Sequence, residues 1–315
     1  MSLALLFPGQ GSQAVGMGAA LAETFASARE VFAAVDDALG QHLFRLMQEG
    51  PEDELTLTEN AQPALMAVSM AVVRVLADDF NVSVDGAAYA AGHSLGEYSA
   101  LCAIEAISLA DTARLLKLRG QAMQRAVPVG AGSMASLIGP KVDLALAEAA
   151  AAAGCEGGGV CAVANDNNQG NIVISGDVAA VERAIARAKE LGARAIPLNV
   201  SAPFHCPLMQ PAADAMAAAL SGTSVAEPLI PLVANITARP VTDPETIRHL
   251  LVQQVTGRVR WRESIAWLAE EGGVTRFAEL GAGKVLSGMA KRIAPGVDAV
   301  ALNTPQDLEA FAQAL

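Results

Sequence analysis

Gly92-His93-Ser94-Leu95-Gly96 sets a serine between two glycines in the pattern G-x-S-x-G. An apolar run over residues 87–91 precedes it, and a helix-like run follows. This is the setting of a nucleophile elbow, a tight strand-to-helix turn that lifts a serine hydroxyl above a sheet and needs small residues on either side. Backbone N–H groups at the start of the helix then face the reacting centre and can hold an oxyanion. A plain turn with Ser94 as a helix cap uses the same residues, so the chemistry needs a second group, a base. The chain has four histidines. His93 adjoins the serine on a sharp turn, which aims it elsewhere; His42 sits at a surface-like helix end and His249 in a polar helix. His205 lies in Ser201-Ala202-Pro203-Phe204-His205-Cys206-Pro207, a loop stiffened by two prolines. A general base must be held still, and this segment can hold it. A hydrolase places its acid between serine and histidine in chain order. Asp143, Asp166 and Asp177 fall there, but all three lie in what reads as a separate inserted unit. A backbone carbonyl can orient the imidazole instead, which gives a serine–histidine dyad. A dyad weakens an esterase reading and leaves acyl transfer open.

The elements that must carry these residues alternate between strand and helix, which argues an α/β fold. Residues 3–7 read as a short buried strand, followed by the loop Pro8-Gly9-Gln10-Gly11-Ser12-Gln13 and helical patterns over 19–39. A helix is expected over 62–76, with Pro63 in its first turn. Residues 89–92 read as a strand end, and 99–104 and 109–125 as helices, with Ser108 capping the second. Near Pro128 the texture changes. Residues 133–138, 160–165, 171–175 and 193–198 read as strands, and 142–153 and 178–191 as helices. The order βαββαβ is ferredoxin-like. We therefore expect a large α/β-hydrolase-like domain with a parallel sheet, formed by 1–128 and 197–315, and a small ferredoxin-like domain over 129–196. In the final third, helices are expected over 212–220, 247–254 and 261–271, strands over 229–235 and 276–280, and a loop and helix over 281–293.

Composition narrows the function classes. The 315 residues are 52% apolar and 17% charged, too apolar for a disordered chain. With 33 acidic and 21 basic side chains the net charge is −12, which argues against a nucleic-acid binder. Aromatic residues make up 4%, too few for recognition of bases by stacking. No apolar run is long enough for a membrane span, and the apolar N-terminus lacks the basic flank of a signal peptide. The four cysteines form no C-x-x-C pair, so neither a disulfide framework nor a zinc site is expected, and a reducing cytoplasm fits. No metal or other cofactor is expected.

Taken in order, the motifs resemble the acyltransferase family that comprises bacterial malonyl-CoA:acyl-carrier-protein transacylases of fatty-acid synthesis and the acyltransferase domains of polyketide synthases. The resemblance covers essentially the whole chain. It runs through Phe7-Pro8-Gly9-Gln10-Gly11-Ser12-Gln13, Gly92-His93-Ser94-Leu95-Gly96-Glu97-Tyr98, Leu118-Arg119-Gly120, Gly132-Ser133-Met134 and Asn165-Asp166-Asn167. It continues through Phe204-His205, Gln254-Val255-Thr256 and Glu279-Leu280-Gly281-Ala282-Gly283-Lys284-Val285-Leu286.

The resemblance implies a malonyl-serine on Ser94, formed and discharged by a ping-pong route. It implies His205 as base, oriented by a main-chain carbonyl near Gln254. Backbone N–H groups of Gln10 and Leu95 would form the oxyanion hole. Arg119 would bind the malonyl carboxylate, although residue chemistry alone makes it one of several helix arginines beside Arg114 and Arg125. Phe204, directly before the base, would crowd an α-methyl group. Met134 would line the acyl pocket, and Asn165 and Asn167 the pantetheine side of the cleft. In that last turn the chain departs from the family, with Gln169 where proline is usual. Malonyl-CoA and holo acyl carrier protein are the implied partners, and a monomer is expected. An acidic carrier would need a basic patch, either Arg183, Arg187, Lys189 and Arg194 or Lys284, Lys291 and Arg292. The alternatives are a related malonyl transferase of malonate decarboxylation or polyketide synthesis, and a serine thioesterase or hydrolase.

Overall fold

Five apolar residues form β1 (Leu3–Phe7), and all five are buried. A strand apolar on both faces belongs inside a covered parallel sheet. The structure, a computed structural model, describes residues 2–315. After β1 come α1 (Ala19–Thr24), α2 (Ala26–Leu39), α3 (Leu43–Glu49), α4 (Glu52–Thr56) and α5 (Thr58–Phe80). Next are β2 (Tyr89–Gly92), α6 (Leu95–Ala103) and α7 (Leu109–Ala126). A second unit follows: β3 (Gly132–Ile138), α8 (Leu144–Cys155), β4 (Cys161–Asn168), β5 (Asn171–Asp177), α9 (Val178–Glu190) and β6 (Arg194–Pro197). The chain then returns through α10 (Gln210–Ser221), β7 (Leu232–Val233), β8 (Pro240–Val241), α11 (Pro244–Thr256) and α12 (Trp261–Glu270). It ends with β9 (Arg276–Leu280), α13 (Val285–Ile293), β10 (Asp298–Leu302) and α14 (Pro305–Gln313).

The larger sheet has the order β10-β9-β1-β2-β7-β8, parallel except for the last pair. β1 lies near its middle, as its composition requires. The smaller sheet has the order β4-β5-β3-β6 and is antiparallel throughout, the ferredoxin-like arrangement. Its core sets Leu137, Ile172 and Ile174 of the strands against Ala147, Ala150, Ala180 and Ala184 of α8 and α9. Alanine on those helix faces lets the helices lie close to the sheet. Among the described residues no helix is long and apolar enough to cross a membrane. Cys102, Cys155, Cys161 and Cys206 are free thiols.

Several boundaries differ from the sequence expectation, each for a local reason. The helical pattern over 19–39 breaks at Phe25, whose extended backbone ends α1 and begins α2. α5 starts at Thr58 rather than at residue 62, so Pro63 lies inside the helix and not in its first turn. Burial on nearly every face of α5 sustains it through the proline. Ser108 does cap α7, accepting from the Asp111 N–H at 3.1 Å. The strand expected over 229–235 shrinks to the two residues of β7, because Leu229 bonds instead to the Ile104 carbonyl and Asn235 turns toward the elbow.

The polar run expected to turn after residue 165 continues as strand to Asn168, with two register shifts against β5. All of Asn165, Asp166, Asn167 and Asn168 are buried. The larger unit explains this. Asn165 and Val259 form a parallel bridge, and Asp166 N–H donates to the Val259 carbonyl at 2.9 Å. Arg262 of α12 meets the Asp166 carboxylate through Nε at 3.1 Å and Nη2 at 2.8 Å. One edge of the small sheet is therefore fastened beside the C-terminal end of the large one.

Candidate active site

Ser94 stands between β2 and α6 with φ 56° and ψ −112°. A non-glycine residue seldom adopts this conformation, which costs about 1–3 kcal/mol and persists only where its surroundings enforce it. Here the flanking glycines and one asparagine do so. A Cβ on Gly92 would collide with the Gly96 carbonyl, and a Cβ on Gly96 with the Phe7 carbonyl. Asn235, just after β7, accepts from the Ser94 N–H at 2.8 Å and donates to the Gly92 carbonyl at 2.6 Å. The elbow is thus tied to the neighbouring strand by a single side-chain amide. Leu95 opens α6, where its N–H has no acceptor within the helix.

His205 Nε2 lies 2.7 Å from Ser94 Oγ, and its Nδ1 lies 2.9 Å from the Gln254 carbonyl. A carbonyl only accepts, so Nδ1 carries the proton and Nε2 is left as the acceptor that faces the serine. Burial is the main reason the imidazole pKa falls to about 3, and the Arg119 cation adds to it. The ring is accordingly neutral at neutral pH, the form a base needs. None of the three aspartates considered as a third member faces His205. Asp143 caps α8, Asp177 accepts from the Val160 N–H at 2.6 Å, and Asp166 pairs with Arg262.

Arg119 of α7 is 1% exposed, so it does not lie on a solvated helix face. Its Nη1 donates to Gln62 Oε1 at 2.8 Å, and its Nη2 donates to Gln254 Oε1 at 2.8 Å and to Ser94 Oγ at 3.2 Å. Its Nε–H finds no acceptor among the described residues. Its guanidinium carbon also lies 5.7 Å from the centre of the Tyr98 ring. Burial lowers its pKa from the usual arginine value. The buried cation therefore rests on neutral acceptors beside the serine.

These groups line a cavity of about 300 Å³. Ser94, Leu95, His205, Arg119, Gln10, Met134, Phe204 and Asn165 all border it. Gln10 reaches it from the loop after β1, with its side-chain oxygen accepting from Thr58 Oγ1 at 2.9 Å. Two expected residues stand behind the wall instead. Gln254 is fully buried, and its amide serves Arg119, the Ser94 carbonyl and Glu97. Asn167 presents its Oδ1 to His93 Nε2 at 2.9 Å. His93 is thus turned toward the small sheet and away from Ser94 Oγ, as its place on the turn predicted.

Three functional neighbours had escaped the sequence reading: Gln62, Glu97 and Asn235. Gln62 and Asn235 are single amides in helix and loop, with no spacing to mark them. Glu97 stood inside the elbow motif, where an unpaired carboxylate at a buried helix start was the available signal.

The fold and this geometry are those of an acyl-transfer enzyme with a serine at its elbow. The chain belongs to the acyl transferase domain family, whose model matches residues 4–292. It is similar to the malonyl CoA-acyl carrier protein transacylase of Salmonella typhimurium, 44% identical over 311 residues that cover 98% of this chain and 97% of the relative. The Bacillus subtilis protein of the same description is 42% identical over 314 residues, covering 99% and 97%. Among solved structures, an acyl-carrier-protein-S-malonyltransferase from Bartonella henselae matches with a TM-score of 0.96 at 53% identity, covering 100% of this chain and 99% of that one. A malonyl-transacylase solved in complex with its type II PKS acyl-carrier protein matches with a TM-score of 0.95 at 41% identity, covering 100% of both chains.

Proposed function

We propose that this chain transfers the malonyl group of malonyl-CoA, through an ester on Ser94, to the phosphopantetheine thiol of holo acyl carrier protein, supplying extender units for fatty-acid synthesis. The observation that carries the reading is the buried Arg119 guanidinium within 3.2 Å of Ser94 Oγ, with Nε–H unpaired and only neutral side chains accepting from it. A carboxylate delivered to that pocket meets a cation with donors to spare, which a hydrolase of uncharged esters has no use for.

In the first half-reaction His205 Nε2 takes the Ser94 proton as Oγ attacks the thioester carbonyl. The backbone N–H groups of Gln10 and Leu95 hold the tetrahedral oxyanion. The intermediate collapses, the C–S bond breaks, and coenzyme A leaves with the proton from His205. In the second half-reaction the carrier thiol gives its proton to His205 and attacks the malonyl-serine, and Ser94 recovers its proton. Arg119 holds the carboxylate through both halves. Met134 and Phe204 bound the acyl group, and Phe204 disfavours an α-methyl by about 1–3 kcal/mol. Asn165 borders the pantetheine side; Gln254 and Asn167 act from behind, on Arg119 and His93.

The small sheet, taken as a domain over 129–196, forms one wall of the cleft. The groups this scheme uses form a complete site without a second copy of the chain. The free cysteines support the cytoplasm as its place. The test is to load the protein with malonyl-CoA, remove the donor, and chase with holo acyl carrier protein or with buffer alone. Rapid discharge onto the carrier, with a slow loss in buffer, is expected. Equal rates in the two chases would identify a hydrolase.

A further inference from the structure

α6 carries a carboxyl that the scheme above leaves unused. Glu97 lies three residues beyond Ser94, is 1% exposed, and is driven by burial to a pKa of about 7. From α11, Gln254 Nε2 donates to Glu97 Oε2 at 2.7 Å, and the Asn235 N–H donates to the same oxygen at 3.3 Å. The charged or titratable groups that face it are Arg119 of α7 and Tyr98 on its own helix; Gln254 and Asn235 are neutral. Among the described residues no hydrogen bond joins Glu97 to Arg119.

We propose that Glu97 is a positioning residue: it fixes which way round the Gln254 amide sits, and so holds Arg119 in place while leaving the guanidinium's donors for the malonyl carboxylate. This rests on the acyl-transfer reading. An amide has a donating end and an accepting end, whereas a carboxylate only accepts. Glu97 therefore draws the NH₂ of Gln254, and the Ser94 carbonyl accepts from the same NH₂ at 2.9 Å. The amide oxygen is thereby turned to Arg119 Nη2 at 2.8 Å. A flipped amide would set NH₂ against the guanidinium and oxygen against two acceptors. The relay also places a negative charge one residue behind the buried cation. A carboxylate bonded directly to Arg119 would occupy the donors that the substrate needs. Protonation of Glu97 converts one of its oxygens to a donor, which weakens the constraint on the amide and leaves only the Ser94 carbonyl and Arg119 to enforce it.

The test compares Ser94 acylation by malonyl-CoA and by acetyl-CoA, which lacks the carboxylate, in wild type, Glu97→Met and Glu97→Gln. Glu97→Met should lower malonyl kcat/KM by about 30- to 100-fold, the effect of misplacing a binding group by roughly 1 Å, with the acetyl value within about threefold of wild type. Glu97→Gln carries a donor beside its acceptor, as the protonated acid does, and should hold the malonyl-to-acetyl ratio near the value that wild type reaches at low pH. From about pH 8.5 down to 5.5 that ratio should fall in wild type and stay level in Glu97→Gln, which cannot take up the proton. Equal losses for both donors in Glu97→Met would overturn the proposal. If Glu97→Met does not fold, a ratio that varies with pH in Glu97→Gln as it does in wild type overturns it instead. A wild-type protein that loads neither donor on Ser94 refutes the acyl-transfer reading itself.

Discussion

Two buried groups at this site make the stability of the protein depend on pH in opposite directions, and a single substitution should expose one of them. The His205 imidazole holds its proton only below about pH 3 in the folded chain, against 6.5 in the unfolded one. Between these values the unfolded chain binds one proton more, so stability rises with pH by about 1.4 kcal/mol per unit. Glu97 behaves in reverse. Folded, it keeps its proton up to about pH 7, whereas unfolded it releases it near 4.5. Between these values the folded chain binds one proton more, and stability falls with rising pH by the same amount. From pH 4.5 to 6.5 the two slopes oppose and cancel. Glu97→Gln removes the falling slope and leaves the rising one. Between pH 5 and 6.5 the variant should therefore gain about 2 kcal/mol on wild type. Urea unfolding at three pH values, with both proteins fitted to a shared m-value, measures this difference directly. Groups common to both proteins drop out of it. Parallel stability curves across that window would refute the reasoning, because they would mean that Glu97 exchanges no proton on folding.

Three further outcomes follow from the geometry. Arg119→Ala should lower malonyl kcat/KM by about 100-fold or more, as loss of a two-point charged hydrogen bond implies, and acetyl kcat/KM far less; paired acylation rates check it. Gly96→Ala puts a methyl group into the Phe7 carbonyl. It should cost about 3 kcal/mol or more in denaturant unfolding, or else abolish acylation in whatever protein folds. Arg262→Ala leaves the fully buried Asp166 without its partner. Since Arg262 is one-third exposed, we expect a loss of about 2 kcal/mol in unfolding, smaller than for a wholly buried pair.

The elbow was legible in the sequence because its chemistry is local. Two glycines, a serine and the strand before them all lie within about a dozen residues, and steric exclusion ties their identities to the turn. The βαββαβ order was legible for a similar reason, since each of its elements is short and bounded by turn residues. What escaped was set by distant parts of the chain. Asp166, Asn167 and Asn168 read as a turn from their polarity, but Val259 and Arg262, nearly a hundred residues later, supply partners that let the run stay extended and buried. Arg119 reads as one arginine among several on a helix, and only its burial against Gln62 and Gln254 marks it out. Pro63 was misplaced because the packing of α5 outweighs the proline that would otherwise set a helix start. The resemblance to a known family supplied the roles of Arg119 and Gln10, which spacing alone could not assign.

The central claim is that Ser94 carries the malonyl group, and intact mass tests it most directly. Purified protein is mixed with malonyl-CoA, with acetyl-CoA and Ser94→Ala as controls. The account predicts a malonyl adduct on the wild type, little with acetyl-CoA, and none on Ser94→Ala. An adduct that persists in Ser94→Ala, or coenzyme A released steadily with no adduct on the wild type, would contradict it.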